Sequence, residues 1–272
     1  MAVYIRRGGQ RIDLFAEMPR GKVLDFPTGW GREYAHLKEL GYQVVPADFF
    51  PEFLKASGQS CVQANGNVGF PFKEGAFDYV LCRESIEHLE NQTEFIRECG
   101  RVLKKGGKLV LTTPNVLHLI SRLSYLLTGQ RILRRGLINE IQTLRFVRDG
   151  HFFHGHAFLI DYFRLRYILR LCGFGRIRVM TDRYSPSSIA LVWFVPFLFA
   201  AVKLSIKMSI AGDRKKGKAI PDDSVFQEII RHVFSPALLF GKKMVVVAEK
   251  FGSEDDSPSR PRITGNSEKK TP

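Results

Sequence analysis

Cysteine is scarce in this chain. Four occur in 272 residues, Cys61, Cys82, Cys99 and Cys172, and none forms a CxxC pair. That spacing excludes a zinc ribbon and a dithiol redox centre, and fits reduced thiols in a cytosolic protein. Long apolar runs are also missing at the start: MAVYIRRGGQRIDLF holds no stretch of signal-peptide length, so no secretion signal is expected. Acidic residues thin out in the middle. Residues 101–218 carry 22 basic and 5 acidic side chains, against 11 and 14 in residues 1–100, so the net charge of +14 is concentrated in one segment. Such asymmetry points to an anionic partner: a lipid surface, a phosphate-bearing substrate or nucleic acid. No internal repeat is present.

The first half alternates between two periods. KVLDF (22–26), YQVVPAD (42–48), SCVQAN (60–65), FDYVLC (77–82) and KLVLTTP (108–114) read as strands, and GREYAHLKELG (31–41) and TEFIRECGRVLK (93–104) as helices. Strands alternating with helices predict an α/β fold, a parallel sheet covered on both faces. Residues 115–157 are basic and show no clear strand. DYFRLRYILRLCGFG (161–175) restores a helix, with Asp161 placed to cap it and Gly173 to end it. RIRVMTD (176–182) and KKMVVVAEK (242–250) read as the sixth and seventh strands. The expected organisation is a core over 1–184 with an acceptor-site insertion near 115–160, an apolar and basic insertion at 185–241, the last strand of the core at 242–252, and a polar disordered tail at 253–272.

Glycine is sparse where a nucleotide-binding sheet usually concentrates it. The loop VLDFPTGWG (23–31) has two glycines and a proline. Ligands of parallel sheets sit beyond the carboxyl ends of the strands, so the informative residues are Asp25, Pro27, Gly29 and Gly31 after the first strand, Asp48 after the second, Asn65 after the third and Cys82 after the fourth. A glycine lets backbone approach a ligand closely. An acidic residue about 20 positions after such a loop suits a ribose diol. Asn65 also fits a plain turn, and Cys82 plain strand packing.

The run VLDFPTGWGREYAHLKELGYQVVPAD resembles motif I and the acidic residue that follows it in class I S-adenosylmethionine-dependent methyltransferases. FPFKEGAFDYVLCRESIEHLEN and RVLKKGGKLVLTTPN resemble two later blocks of that family, in the same order, and the subset is the type 11 methyltransferases widespread in bacteria. The resemblance implies a Rossmann-like, seven-stranded, mostly parallel sheet whose last strand is antiparallel, with S-adenosylmethionine as cofactor. It implies that Asp25 and the loop through Gly29 and Gly31 hold the methionine part, that Asp48 binds the ribose hydroxyls, that Phe49 packs beside the adenine, that Asn65 stands in for the family's usual Asp at the adenine amino group, and that Cys82 lies near the cofactor. Pro27 departs from the family's D-x-G-x-G-x-G by replacing its first glycine. It can donate no N–H and needs negative φ, while Gly29 and Gly31 are kept.

Methyl transfer to a hydroxyl needs a base, and histidine is the natural candidate near neutral pH. His88 follows the fourth strand, and HFFHGH (151–156) precedes the Asp161 helix. His154 and His88 are the candidate catalytic residues, beside the plain alternative that they are loop or helix-surface residues. The histidines offer no convincing fourth ligand, so no metal is expected.

YSPSSIALVWFVPFLFAAV (184–202) is uncharged. Its apolar core from Ile189 is about 14 residues, short of the roughly 20 that cross a bilayer. Pro196 interrupts it, and lysines and DRKKGK follow. The strands on either side must join one sheet, so a single crossing is excluded. The stretch lies in an interface, re-enters, or pairs with VFSPALLFG (233–241), unless it is a cap buried on the domain or against a dimer partner. The basic flanks suit an anionic membrane surface. The expected protein is therefore a cytoplasmic methyltransferase, peripheral on the inner face of the cytoplasmic membrane, acting by O-methylation on a small-molecule or lipid-linked acceptor such as a saccharide, a quinone precursor or an envelope glycolipid. An RNA or protein methyltransferase using the basic surface is an alternative, although no RNA-binding module is appended. A non-catalytic cofactor-binding protein, or a nicotinamide-dependent enzyme on a similar sheet, is another, the latter disfavoured by the antiparallel-looking last strand and the GG-x-LVLTTPN block.

Overall fold

The computed structural model describes residues 3–54, 60–131, 140–148, 151–218 and 220–251. The tail at 253–272 lies outside the described residues. The chain opens with a hairpin, β1 (Tyr4–Arg7) and β2 (Gln10–Asp13). Then come β3 (Lys22–Asp25), α1 (Arg32–Glu39), β4 (Gln43–Asp48), β5 (Val62–Gln63), β6 (Phe77–Arg83), α2 (Gln92–Val102) and β7 (Leu103–Pro114). After α3 (Leu119–Thr128) and α4 (Glu140–Thr143), a second hairpin forms from β8 (Leu144–Arg148) and β9 (His151–His154). The chain continues through α5 (Tyr162–Leu171), β10 (Phe174–Met180), α6 (Pro186–Ile189), α7 (Val195–Lys215), α8 (Asp223–Val233), α9 (Pro236–Phe240) and β11 (Lys243–Lys250).

Seven strands make one sheet in the order β10-β11-β7-β6-β3-β4-β5. β3 pairs in parallel with β4 and β6, β6 with β7, and β4 with β5. β11 is antiparallel to both β7 and β10. The order in which strands are added reverses at β3, with β4 and β5 on one side and β6 and β7 on the other, which places a ligand crevice beyond the carboxyl ends of β3 and β6.

Side-chain alternation assigns the two faces. Leu24, Val80, Cys82, Leu109, Leu111 and Val246 pack with α2 and α5 on one side. Val23, Tyr79, Leu81, Val110, Val245 and Val247 pack with α1 and the β1–β2 hairpin on the other. The hairpin is tied to the sheet edge where Arg6 N–H donates to the Thr181 carbonyl at 2.7 Å. The reading of 1–15 for targeting alone passed over this hairpin; its signal is the Gly8–Gly9 pair, both at positive φ, between two short extended runs.

The PN that ends β7 has a structural role. Asn115 is fully buried, and its Nδ2 donates to the carbonyls of Leu238 and Gly241 at 2.9 and 2.8 Å. It thereby fixes α9 to the end of β7. The apolar VFSPALLFG stretch is accordingly a core element with Leu238 and Leu239 buried, and it meets the upstream run at two places: Ser185 N–H donates to the Phe240 carbonyl at 2.7 Å, and the Phe234 ring packs on Phe199. Pro196, expected to interrupt that run, sits in the first turn of α7, where a missing N–H costs nothing. The helix therefore continues unbroken for 21 residues. None of its apolar window is buried inside the protein. Trp193 and Phe197 are 65% and 66% exposed. α8 returns the chain to the core, where Glu228 pairs with Arg166 and Arg170 of α5 at 2.5 and 2.8 Å, and the Phe199 ring meets Phe234 at 5.1 Å. The excursion leaves and re-enters at the Tyr184–Gly241 bridge, so both of its ends are on the same side of any membrane.

Candidate active site

The loop after β3 is pinned to β4. Thr28 N–H donates to the Ala47 carbonyl at 3.0 Å, and Ala47 N–H donates to Thr28 Oγ1 at 3.1 Å. Thr28 Oγ1 in turn donates to the Asp25 carbonyl at 2.7 Å. Pro27 follows a cis peptide bond. Gly29 and Gly31 have φ of +54° and +72°, a region open to glycine and strained for other residues. A Cβ on Gly29 would meet nothing within 4 Å, so this turn faces open space.

Two carboxylates face the same turn. Asp48 accepts from Gly29 N–H at 2.7 Å through Oδ2 and from Phe50 N–H at 2.9 Å through Oδ1. Burial raises the Asp48 carboxyl, and the backbone N–H groups of Phe50, Gly29 and Phe49 oppose that shift. Asp25 is 1% exposed, and burial pushes it up to about 7. Its Oδ2 has no hydrogen-bond partner among the described residues. A buried carboxylate oxygen in that state is costly unless a cationic or hydrogen-bonding group meets it.

The aromatic side chains around the turn are legible only in part. Phe49 packs edge-on against Phe50 at 4.9 Å. Trp30, not singled out from the sequence, stacks on Phe53 at 5.4 Å beside the glycines. Asn65 Oδ1 accepts from Asn67 N–H at 2.9 Å, a local turn. Cys82 is buried in the sheet, with Sγ 2.7 Å from Ser85 Oγ, and burial pushes its thiol up to about 12.

Beyond β6 a second cluster forms. Glu84 sits at φ +49°, unusual for a non-glycine residue. Its carboxylate accepts from Thr112 Oγ1 at 3.1 Å and pairs with Lys243 at 3.1 Å. Glu87 is fully buried and accepts from Thr113 Oγ1 at 3.0 Å through Oε2, while Oε1 has no partner among the described residues. Burial first, and then the Glu84 charge, push Glu87 up to about 7.

His88 Nδ1 lies 2.9 Å from the carbonyls of both His154 and Gly155. Two acceptors require that nitrogen to carry the proton, which leaves Nε2 as the basic nitrogen of the neutral ring. The His154 ring is held by Glu90 at 2.8 Å and by Phe158, so His154 reaches His88 through its backbone. His156 packs edge-on to His88 at 5.0 Å. Glu87, His88 and His156 bring one potential ligand atom each within 4.8 Å of one another. One carboxylate and two imidazoles form a set that could hold a divalent cation, a grouping hidden in the sequence because His156 is 68 positions from His88. Gln92 Nε2 donates to the carbonyls of Ile86 and Phe158 at 2.9 and 2.6 Å, closing the 154–158 segment over the strand end. An open cavity of about 720 Å³ lies nearby, lined by Val116, Leu117, Tyr125, Leu159 and Phe163.

A mostly parallel sheet whose strand order turns back at β3, with an antiparallel last strand inserted beside β7, is the fold seen in class I S-adenosylmethionine-dependent methyltransferases. Residues 24–111 match the family model described as "Methyltransferase domain". A ubiquinone biosynthesis O-methyltransferase of Xanthomonas oryzae pv. oryzae (strain PXO99A) is 34% identical over 114 residues, covering 39% of this chain and 46% of that protein. The protein of the same name in Xanthomonas campestris pv. campestris (strain B100) is 32% identical over 117 residues, 39% of this chain and 49% of its own length. The chain thus spans about half the length of the curated relatives it matches. A SAM-dependent methyltransferase from Archaeoglobus fulgidus superposes with TM-score 0.49 at 16% identity, over 87% of this chain and 88% of that one.

S-adenosylmethionine is the cofactor of this class, and the residues present fit it. The unpartnered Asp25 Oδ2 suits an ammonium group. The open space above Gly29 suits close approach, and the Asp48 carboxylate at the end of β4 suits a ribose diol.

Proposed function

We propose that the protein methylates a hydroxyl of a small-molecule or lipid-linked acceptor, working as a peripheral protein on an anionic membrane surface at the cytoplasmic face. The observation that carries this reading is the joint placement of the Asp25–Gly31 loop with Asp48 at one side of the strand ends and the Glu87–His88–His156 cluster at the other. The printed name of the Xanthomonas relatives, O-methyltransferases of ubiquinone biosynthesis, supports a hydroxyl on an amphiphilic small molecule.

S-adenosylmethionine supplies a methyl already activated on sulfonium, so the protein contributes chiefly position. Asp25 holds the ammonium and Asp48 the ribose. His88, its Nδ1 committed to two carbonyls, presents Nε2 to take the acceptor's proton, and Glu87 stabilises the resulting imidazolium. His154 orients His88 through its carbonyl. Incubation with methyl-labelled S-adenosylmethionine and a membrane lipid extract should place label in the organic phase as a base-stable ether. Label confined to RNA or protein would overturn the acceptor class.

The exposed α7 excursion supports membrane contact. Lys203, Lys207, Arg214 and Lys215 lie on a helix that is otherwise apolar save for Ser205, Ser209 and Asp213, and its tethering at both ends suits a placement in the interface plane. Burying a Trp or Phe side chain contributes roughly 1.5–3 kcal/mol. The paired substitution Trp193→Ser and Phe197→Ser should therefore lower co-sedimentation with anionic vesicles at least about tenfold, without loss of S-adenosylmethionine binding. Unchanged sedimentation would remove the membrane reading. These point variants are preferable to deleting the excursion, since a deletion would also take the buried α9.

A further inference from the structure

We infer that the cavity between the N-terminal hairpin and the ends of β6, β7, β10 and β11 binds a phosphate or diphosphate group of the methyl acceptor. The inference rests on the methyltransferase reading and deepens it by naming the recognised group.

The cavity has a volume of about 380 Å³, within the range of small-molecule sites. Arg6, Arg11, Arg83, Arg183 and Lys243 line it, from four separate parts of the chain. Two of these cations have their own carboxylate: Arg83 pairs with Glu33, and Lys243 with Glu84 at 3.1 Å. Among the described residues no carboxylate pairs with Arg6, Arg11 or Arg183. The Arg11 guanidinium lies 3.8 Å over the Tyr4 ring, which orients its plane and leaves its N–H edge available. Arg6 donates to the Gly9 carbonyl at 2.8 Å, which steadies a second fork.

Cations gathered around one small space repel unless an anion joins them. Arginine forks match phosphate oxygens two at a time. Asp182 also lines the space, and its Oδ1 is buried with no hydrogen-bond partner among the described residues. A sugar hydroxyl attached to the phosphate would satisfy that oxygen.

Position carries the argument further. Thr112 and Lys243 in the lining are the partners of Glu84, so the cavity adjoins the strand ends where the acceptor must sit. Arg183 is immediately followed by the bridge at Tyr184, where the apolar excursion leaves the sheet. A molecule with a charged head in the cavity and an apolar tail would meet α6 and α7 next. A phosphate-bearing amphiphile fits both halves. Arg11 and Arg183 are exposed, and no helix or strand hydrogen bond uses their side chains, so they can be changed without unfolding the chain.

The experiment is calorimetric titration of the full chain with inorganic pyrophosphate, in parallel with the double variant Arg11→Gln, Arg183→Gln. Pyrophosphate should bind the unaltered chain at least about tenfold more tightly than the variant, because two charge-assisted contacts are removed. It should also bind more tightly than sulfate at equal ionic strength, with the affinity for S-adenosylmethionine equal in both proteins. Equal pyrophosphate affinities, or sulfate binding as well as pyrophosphate, would overturn the inference.

A second arm identifies the source of the phosphate. Pyrophosphate that displaces the chain from phosphatidylcholine vesicles containing phosphatidic acid assigns the group to a lipid. Tight pyrophosphate binding without displacement assigns it to a soluble phosphate-bearing acceptor. A chain that binds pyrophosphate but not S-adenosylmethionine would overturn the methyltransferase reading and leave the anion site standing.

Discussion

Replacing Gly29 with valine should abolish S-adenosylmethionine binding while the protein stays folded. Gly29 has φ +54°, where a β-branched residue is strained by roughly 1–3 kcal/mol. The backbone then has two courses. It can relax, which withdraws the Gly29 N–H from Asp48 Oδ2, now at 2.7 Å, and frees the carboxylate proposed to receive the ribose. Or it can hold, and the isopropyl group then fills the space that a Cβ meets nothing to contest. Either course removes the close approach on which binding depends, and a loss of about a hundredfold or more is expected, roughly 2.7 kcal/mol. The global cost is confined to the strain, so the melting temperature should fall by only several degrees. Calorimetric titration alongside thermal melting checks both halves. Gly29→Ala, with less bulk at the same φ, should fall between the two.

The second large effect is one of pH. Burial holds Asp25 at about 7 against 3.8 for an ordinary aspartate. Between those values the folded chain keeps a proton that the unfolded chain has lost. Asp25 therefore subtracts stability progressively as pH rises from about 4 to about 7, with the full cost above that. A bound ammonium favours the ionised carboxylate, so binding expels the proton. Affinity for S-adenosylmethionine should then rise by up to about tenfold per pH unit below 7, level off, and decline once the ligand's own α-amino group deprotonates near 8. Asp25→Asn should bind more weakly at pH 7.5, lose the slope below 7, and melt at a higher temperature than the unaltered chain at pH 8. Glu87, also near 7 through burial, adds to the stability slope with the same sign. The slope in affinity is what isolates Asp25, and calorimetry in buffers of different ionisation enthalpy should show proton uptake by the buffer on binding. A flat affinity profile from pH 5.5 to 7 would remove the ammonium from Asp25.

Much of the core was legible because its signals are local. Each parallel strand is a short apolar run followed by a turn, with Asp25 and Asp48 at the ends of β3 and β4 and Cys82 next to the end of β6. The positive φ of Gly29 and Gly31 follows from glycine being the residue that tolerates it. What was not legible depends on partners distant in sequence. The reading of 115–157 as strandless missed β8 and β9, which pair with each other rather than with the sheet. Pro196 reads as a breaker until its place in the first turn of α7 is known. VFSPALLFG has the composition of a membrane segment, but Asn115, more than 120 positions earlier, captures its carbonyls and makes it core. The convergence of Glu87 and His88 with His156 requires Gln92 to bind the Phe158 carbonyl, a contact no periodicity announces.

Equilibrium binding of S-adenosylmethionine to the full chain, measured by calorimetry at pH 7.5 with NAD as competitor and Gly29→Val as control, tests the central claim most directly. The account predicts one saturable site, no displacement by NAD, and no detectable binding to the variant. Absence of binding to the unaltered chain, displacement by NAD, or full binding to Gly29→Val would contradict it.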